Sequence, residues 1–150
     1  MITAVDSNVL IALWNSSDTL NSRAQNALDD VAAVGTLVIC GAVFAELLGY
    51  QGRTEKMVEG FLNNTEIAID WVIDEKIWRS AAKANHGYSV RRRKHKQAEP
   101  KRLVTDFIVG AHANERGYAL LTFDNRIFKA AFPRLRILKG LDDRQSPTKS

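Results

Sequence analysis

Short apolar runs rich in β-branched residues alternate along this chain with longer stretches of helical periodicity, and that alternation restricts the fold more than any other feature. Ile2-Thr3-Ala4-Val5 reads as a buried strand. Ser7 and Asn8 then open an apolar helix through Trp14. Ala24, Ala27, Leu28 and Val31 recur at helical spacing until Gly35 closes the element, and Leu37 to Cys40 forms a second strand. The same grammar predicts helices over Gly41 to Leu48, Thr54 to Leu62 and Asp74 to Asn85, with a third strand at Ile67-Ala68-Ile69. A further helix carries Val104 to Ala113, with Thr105 as its N-cap and Gly117 as its stop. Ala119 to Thr122 is the fourth strand, Arg126 to Ala131 a short helix and Arg136-Ile137-Leu138 a last strand. Strands alternating with helices imply an α/β layer structure whose sheet is mainly parallel and whose crossovers are right-handed.

A chain of 150 residues suits one domain with a real core. No internal repeat or interdomain linker interrupts it, and Asp142 to Ser150 reads as a polar tail. No apolar run approaches the roughly 18 to 20 residues of a membrane span, and Met1 to Asp6 lacks the basic start of a signal peptide, so the expected location is cytoplasmic. The single cysteine, Cys40, sits in a strand-like setting and permits no internal disulfide; no catalytic role is expected of it.

Four acids occupy unusual places. Asp6 stands where the first strand should end, and Asp124 ends the fourth in the same manner. Asp106 lies at the mouth of an apolar helix, followed on its own face by Val109, Gly110 and Ala113. The bland reading of Asp106 is an acid complementing the helix dipole. Glu46 is the one charged residue of Gly41 to Leu48 and has Ala42, Val43, Ala45 and Leu48 around it. In parallel sheets ligands gather at the carboxyl ends of the strands. Four carboxylates brought together there would raise one another's pKa unless a cation sits between them, and Mg²⁺ or Mn²⁺ is the cation that oxygen ligands suit. His86, His95 and His112 have no ligand spacing, which argues against zinc. A metal held this way suits phosphodiester hydrolysis by a metal-activated water.

The formal charge of +4 is unevenly placed. Arg91, Arg92, Arg93, Lys94, Lys96, Lys101 and Arg102 share a short stretch with a single acid, Glu99. Repulsion among these charges and Pro100 predict a mobile or irregular connection that runs into Asp106, and the block fits contact with a polyanion such as an RNA strand. The competing reading is a solvated loop.

Val5-Asp6-Ser7-Asn8, Ala45-Glu46-Leu47, Thr105 to Ala111 and Leu121-Thr122-Phe123-Asp124 stand in the order and approximate spacing of PIN-domain nucleases, and the chain resembles the VapC-type toxins of bacterial toxin–antitoxin pairs from residue 2 to about 139. The resemblance implies a PIN-like nuclease domain over 1–140, with a three-layer α/β/α fold and a mainly parallel central sheet, and a tail over 141–150. It implies a Mg²⁺- or Mn²⁺-dependent endoribonuclease that forms a homodimer and is restrained by a cognate antitoxin protein. By motif position Asp6, Glu46, Asp106 and Asp124 would be the catalytic and metal-binding acids, with Asn8 and Thr122 as supporting polar residues. Two departures stand out. Such toxins often carry another acid three places after the position of Asp124, where this chain has Ile127, and the connection from His86 to Leu103 is longer and more basic than the family pattern.

Other readings stay open on the residues alone. Asn8 and Thr122 also suit capping and turn chemistry. His112, among alanines, reads as a satisfied histidine rather than a base, and Trp14, Trp71 and Trp78 as core or interface residues. A phosphatase using Asp6 as nucleophile would want a second acid where Asn8 stands. A non-catalytic nucleic-acid-binding module is the remaining alternative.

Overall fold

The computed structural model describes residues 1–95 and 104–139. Lys96, Lys101 and Arg102 of the basic block, and the expected tail at 141–150, lie outside the described residues.

Five strands form one fully parallel sheet in the order β3-β2-β1-β4-β5. They are β1 (Ile2–Val5), β2 (Thr36–Cys40), β3 (Ile67–Asp70), β4 (Ala119–Leu121) and β5 (Ile137–Leu138). Between them run α1 (Ser7–Leu13), α2 (Asn21–Val34), α3 (Gly41–Leu48), α4 (Glu55–Asn64), α5 (Glu75–Lys94), α6 (Val104–Arg116) and α7 (Asn125–Ala131). The chain steps from β1 to β2 to β3 in one direction, then returns past β1 to β4 and β5. Right-handed crossovers therefore put α1 to α4 on one face and α5 to α7 on the other, giving the α/β/α layers. The packing agrees: α1 touches α2 and α3, while α5, α6 and α7 touch one another.

β1 and β4 are central, so both of their faces are covered. Val5, Leu120 and Leu121 are buried, as continuous apolar strands of a parallel sheet should be. Fully burying each such side chain stabilises the fold by roughly 1.5–3 kcal/mol. Because the strand order reverses between β1 and β4, the crevice above their carboxyl ends is the topological switch point. No helix among the described residues is long and apolar enough to cross a membrane.

Three sequence expectations need correction. Charge repulsion predicts a basic block that is irregular from its start, but Arg91 to Lys94 form the last turn of α5, which runs nine residues past Asn85. Its buried stripe continues through Ile77, Ala81, Ala84 and Tyr88, and four cations at a helix C-terminus complement the dipole, so the repulsion is offset. Thr105 does not cap α6: the helix already includes Val104, so Thr105 lies in its first turn. The small face around Gly110 suggests a close approach of α6 to the sheet. A Cβ there would instead collide with the Phe132 ring, 2.7 Å from its Cδ2, and press on Phe128, so the glycine admits two aromatic rings from α7 and the residue after it.

Candidate active site

The site grows from Asp6. Its backbone N–H still follows the sheet, donating to the Leu121 carbonyl at 2.9 Å, while its side chain caps α1 through Oδ1, which accepts from the Ser7 N–H at 2.8 Å. Strand end and helix start thus meet in one residue, only 5% exposed. The other oxygen, Oδ2, accepts from the Thr122 hydroxyl at 2.8 Å.

That hydroxyl has a determined orientation. Thr122 Oγ1 accepts from the Asp124 N–H at 3.0 Å and from Asn8 Nδ2 at 3.4 Å, leaving its single proton for Asp6. Asn8 Oδ1 accepts from the Phe123 N–H at 3.4 Å. Asn8 and Thr122 therefore join the start of α1 to the turn after β4, and the Thr122 hydroxyl also holds the Asp6 carboxylate. Asp124 precedes α7 without its side chain capping that helix.

Glu46 projects from α3 and Asp106 from the first turn of α6, both half-buried. One carboxylate oxygen, Glu46 Oε1, is shielded from solvent and has no hydrogen-bond partner. The four acids feel one another. Burial, partly countered by the hydrogen bonds from Thr122 and Ser7 and reinforced by Asp106 and Asp124, pushes Asp6 up from 3.8 to about 6. Burial, then the charges of Asp6 and Asp106, push Glu46 up from 4.5 to about 7 against a hydrogen bond from the Ser7 side chain. Ser7 is thus a residue of the site that the sequence showed only as a helix opener: its N–H serves Asp6 and its hydroxyl Glu46. A serine after a strand-end acid is too common to signal this from sequence.

This donor set is made of oxygen alone, and it suits a hard divalent cation that takes a few carboxylates and keeps several waters. Among the described residues no three acids, histidines or cysteines are already drawn into a metal cage. The carboxylates lie close enough to raise one another's pKa without being clasped together. Ile127, at the place of the absent fifth acid, is buried in the hydrophobic core.

Arg91, the first residue of the basic block, connects to this edge through aromatic contacts. Arg91 lies over the Tyr88 ring at 5.8 Å, and Tyr88 packs against Phe107, the neighbour of Asp106, at 5.6 Å. His112 belongs elsewhere. Its buried Nε2 pairs with Asp70 Oδ2 at 2.9 Å, beside Arg116 Nε at 3.4 Å from the same oxygen, so it is the satisfied histidine the sequence suggested. Trp71 and Trp78 are both more than half exposed, which removes them from the core.

A family model described as the PIN domain matches residues 3–133. In fold the chain is similar to VapBC-1 from nontypeable Haemophilus influenzae, with 15% identity and a TM-score of 0.63 over 93% of this chain and 98% of that one. It is similar also to VapBC2 from Rickettsia felis, solved bound to a DNA fragment from its promoter, at 18% identity and a TM-score of 0.58 over 94% and 100% of the two chains. A third similar structure is VapC20 of Mycobacterium tuberculosis, described as a Sarcin-Ricin loop cleaving toxin, at 18% identity and a TM-score of 0.57 over 89% and 98%. No curated protein matches the sequence.

Proposed function

The chain belongs to the PIN domain family, and from that premise we propose that it is a Mg²⁺- or Mn²⁺-dependent endoribonuclease, the toxin of a VapC-type toxin–antitoxin pair. The observation that carries the reading is the mutual electrostatic coupling of carboxylates delivered by separate elements to the switch-point crevice. A cluster whose members push one another's pKa upward calls for a compensating cation, and such perturbed groups concentrate at functional sites. The solved structures of similar fold include a toxin-antitoxin complex from Klebsiella pneumoniae and the Sarcin-Ricin loop cleaving toxin, which supports an antitoxin partner and an RNA substrate. A homodimer accords with the family resemblance.

Asp6, Glu46, Asp106 and Asp124 would hold the cation. When bound, it polarises a phosphoryl oxygen and makes water acidic enough to attack near neutral pH. Thr122, its proton committed to Asp6 Oδ2, keeps that carboxylate in one orientation, and Asn8 braces Thr122. Glu46, pushed up to about 7, takes the proton released as the water oxygen attacks phosphorus. The phosphorus–oxygen bond to the leaving strand breaks, and the leaving oxygen takes its proton from solvent water. The arginines at the end of α5 hold the strand by its phosphates.

The test is cleavage of single-stranded and structured RNAs by the purified chain with Mn²⁺ and with chelator, beside Asp106→Asn. Mn²⁺-dependent cleavage that the variant loses is expected. Equal cleavage by the variant would remove Asp106 from the site. RNA binding without cleavage under any condition would leave a non-catalytic module, and release of phosphate from a small monoester with intact RNA would mark a phosphatase.

A further inference from the structure

The α5–α7 side of the molecule carries a groove of about 800 Å³ that the acidic crevice does not include. Its walls are basic: Lys76, Arg79, Lys83 and Arg91 from α5, facing Arg134 just beyond α7. Its floor is apolar, with Ala84, Gly87, Ala131 and the buried Phe132. One acid lines it, Glu115, and this is already paired with Lys76 at 3.4 Å. Arg79 is paired with Glu75 on its own helix. Among the described residues Lys83, Arg91 and Arg134 have no carboxylate within ion-pair distance, and Arg91 Nη2 is shielded from solvent without an acceptor.

The positions 76, 79, 83, 87 and 91 recur every three or four residues, so they share one face of α5. From Lys76 to Arg91 that face spans about 22 Å at 1.5 Å per residue. Its Arg91 end is the end nearest the acidic crevice, because Arg91 lies over Tyr88 and Tyr88 packs on Phe107 beside Asp106. We propose that this groove is a track for the phosphate backbone of the RNA strand, carrying substrate away from the cleavage point along α5 toward Lys76. The inference rests on the ribonuclease reading and extends its substrate from the bond cleaved to a longer stretch of strand. An acidic protein segment has the same charge but needs more. Protein interfaces take their energy from large side chains seated in pockets, and the one large side chain of this floor, Phe132, is itself buried, leaving alanine and glycine. A flexible polyanion needs spaced cations and an open channel, which the groove supplies.

The experiment measures affinity for a long single-stranded RNA in chelator, so that binding is read whether or not the chain cleaves anything. Lys83→Glu combined with Arg134→Glu is compared with the parent and with Lys56→Glu, a surface charge reversal on α4; melting temperatures confirm that all three are folded. Affinity of the double variant should fall about 10- to 100-fold at low salt, and the slope of log affinity against log salt should drop by about 0.7 for each phosphate that is no longer neutralised. Parent-like affinity and salt slope in the folded double variant would overturn the track. So would loss of a co-expressed antitoxin with RNA affinity intact, which would assign the groove to an acidic protein. Failure of the ribonuclease reading shows separately, as absent cleavage by the parent with Mn²⁺.

Discussion

Asp6 and Asp70 occupy equivalent positions in the sheet and have opposite electrostatic fates. Both sit at the carboxyl end of a parallel strand, and both receive a backbone N–H on a side-chain oxygen: Asp6 from Ser7 and Asp70 from Val72, at 3.1 Å. Asp6 is buried among other acids and is pushed up to about 6. For Asp70, burial also raises the pKa, but the hydrogen bonds from His112 and Val72 and the charge of Arg116 outweigh it and hold the carboxyl below its ordinary value. The difference is one of place. β1 lies at the switch point, where helices of both layers bring carboxylates, whereas β3 is an edge strand whose neighbour α6 presents His112 and Arg116. An acid at a strand end is therefore no signature of a site. What marks the site is that burial and neighbouring acids together push Asp6 and Glu46 upward.

The largest expected effect comes from removing charge at the acidic edge. Glu46→Gln should lower Mn²⁺-dependent cleavage by about 10²- to 10³-fold, since several kcal/mol of transition-state stabilisation pass through this cluster. The same variant should be more stable than the parent in chelator, because a repelled carboxylate is gone. The gain should be about 1 kcal/mol, which a melting curve reads as roughly 2–4 °C. A variant both inactive and less stable would show that Glu46 is not strained by its neighbours.

At the other acid the signs reverse. Asp70→Asn strips the charge that holds His112 and Arg116, and should destabilise the protein by about 1–2 kcal/mol while leaving cleavage near the parent level below the melting range. Lost cleavage with unchanged melting would move Asp70 into the site and break the comparison.

The smallest effect is in pH dependence. Asp6 and Glu46 have folded pKa values above their unfolded ones, so between about 4 and about 7 the native state binds more protons than the unfolded chain. Stability in chelator should therefore fall as pH rises through that window. Asp70, held low, contributes stability above 3.8 that is lost as pH falls through its lowered value. Mn²⁺ should flatten the decline toward neutral pH, since a bound cation favours the ionised carboxylates. Thermal unfolding across pH, with and without Mn²⁺, tests this; a decline that Mn²⁺ leaves unchanged would separate the cluster from metal binding.

The alternation of apolar runs with helical periods was enough to place every strand within about a residue, because strand and helix periodicities are local properties of side-chain spacing. The four acids could be picked out for a related reason: each interrupts an apolar element or ends one, and that too is visible in a few neighbouring residues. Other features were hidden. The length of α5 past Asn85 depended on Tyr88 finding Phe107, and the use of Gly110 depended on Phe132, 22 positions away. The roles of Ser7 toward Glu46 and of Asp70 toward His112 rest on contacts between residues about 40 apart.

The sequence by itself determined that this is an α/β chain with carboxylates at the mouths of its elements. Only the tertiary structure decided that β1 and β4 lie side by side, which sets Asp6 and Asp124 across one crevice and leaves Asp70 at the far edge with its cations. Strand order follows from non-local pairing and the hand of the crossovers, and pKa values follow from distances through space. Neither quantity is written in the spacing along the chain.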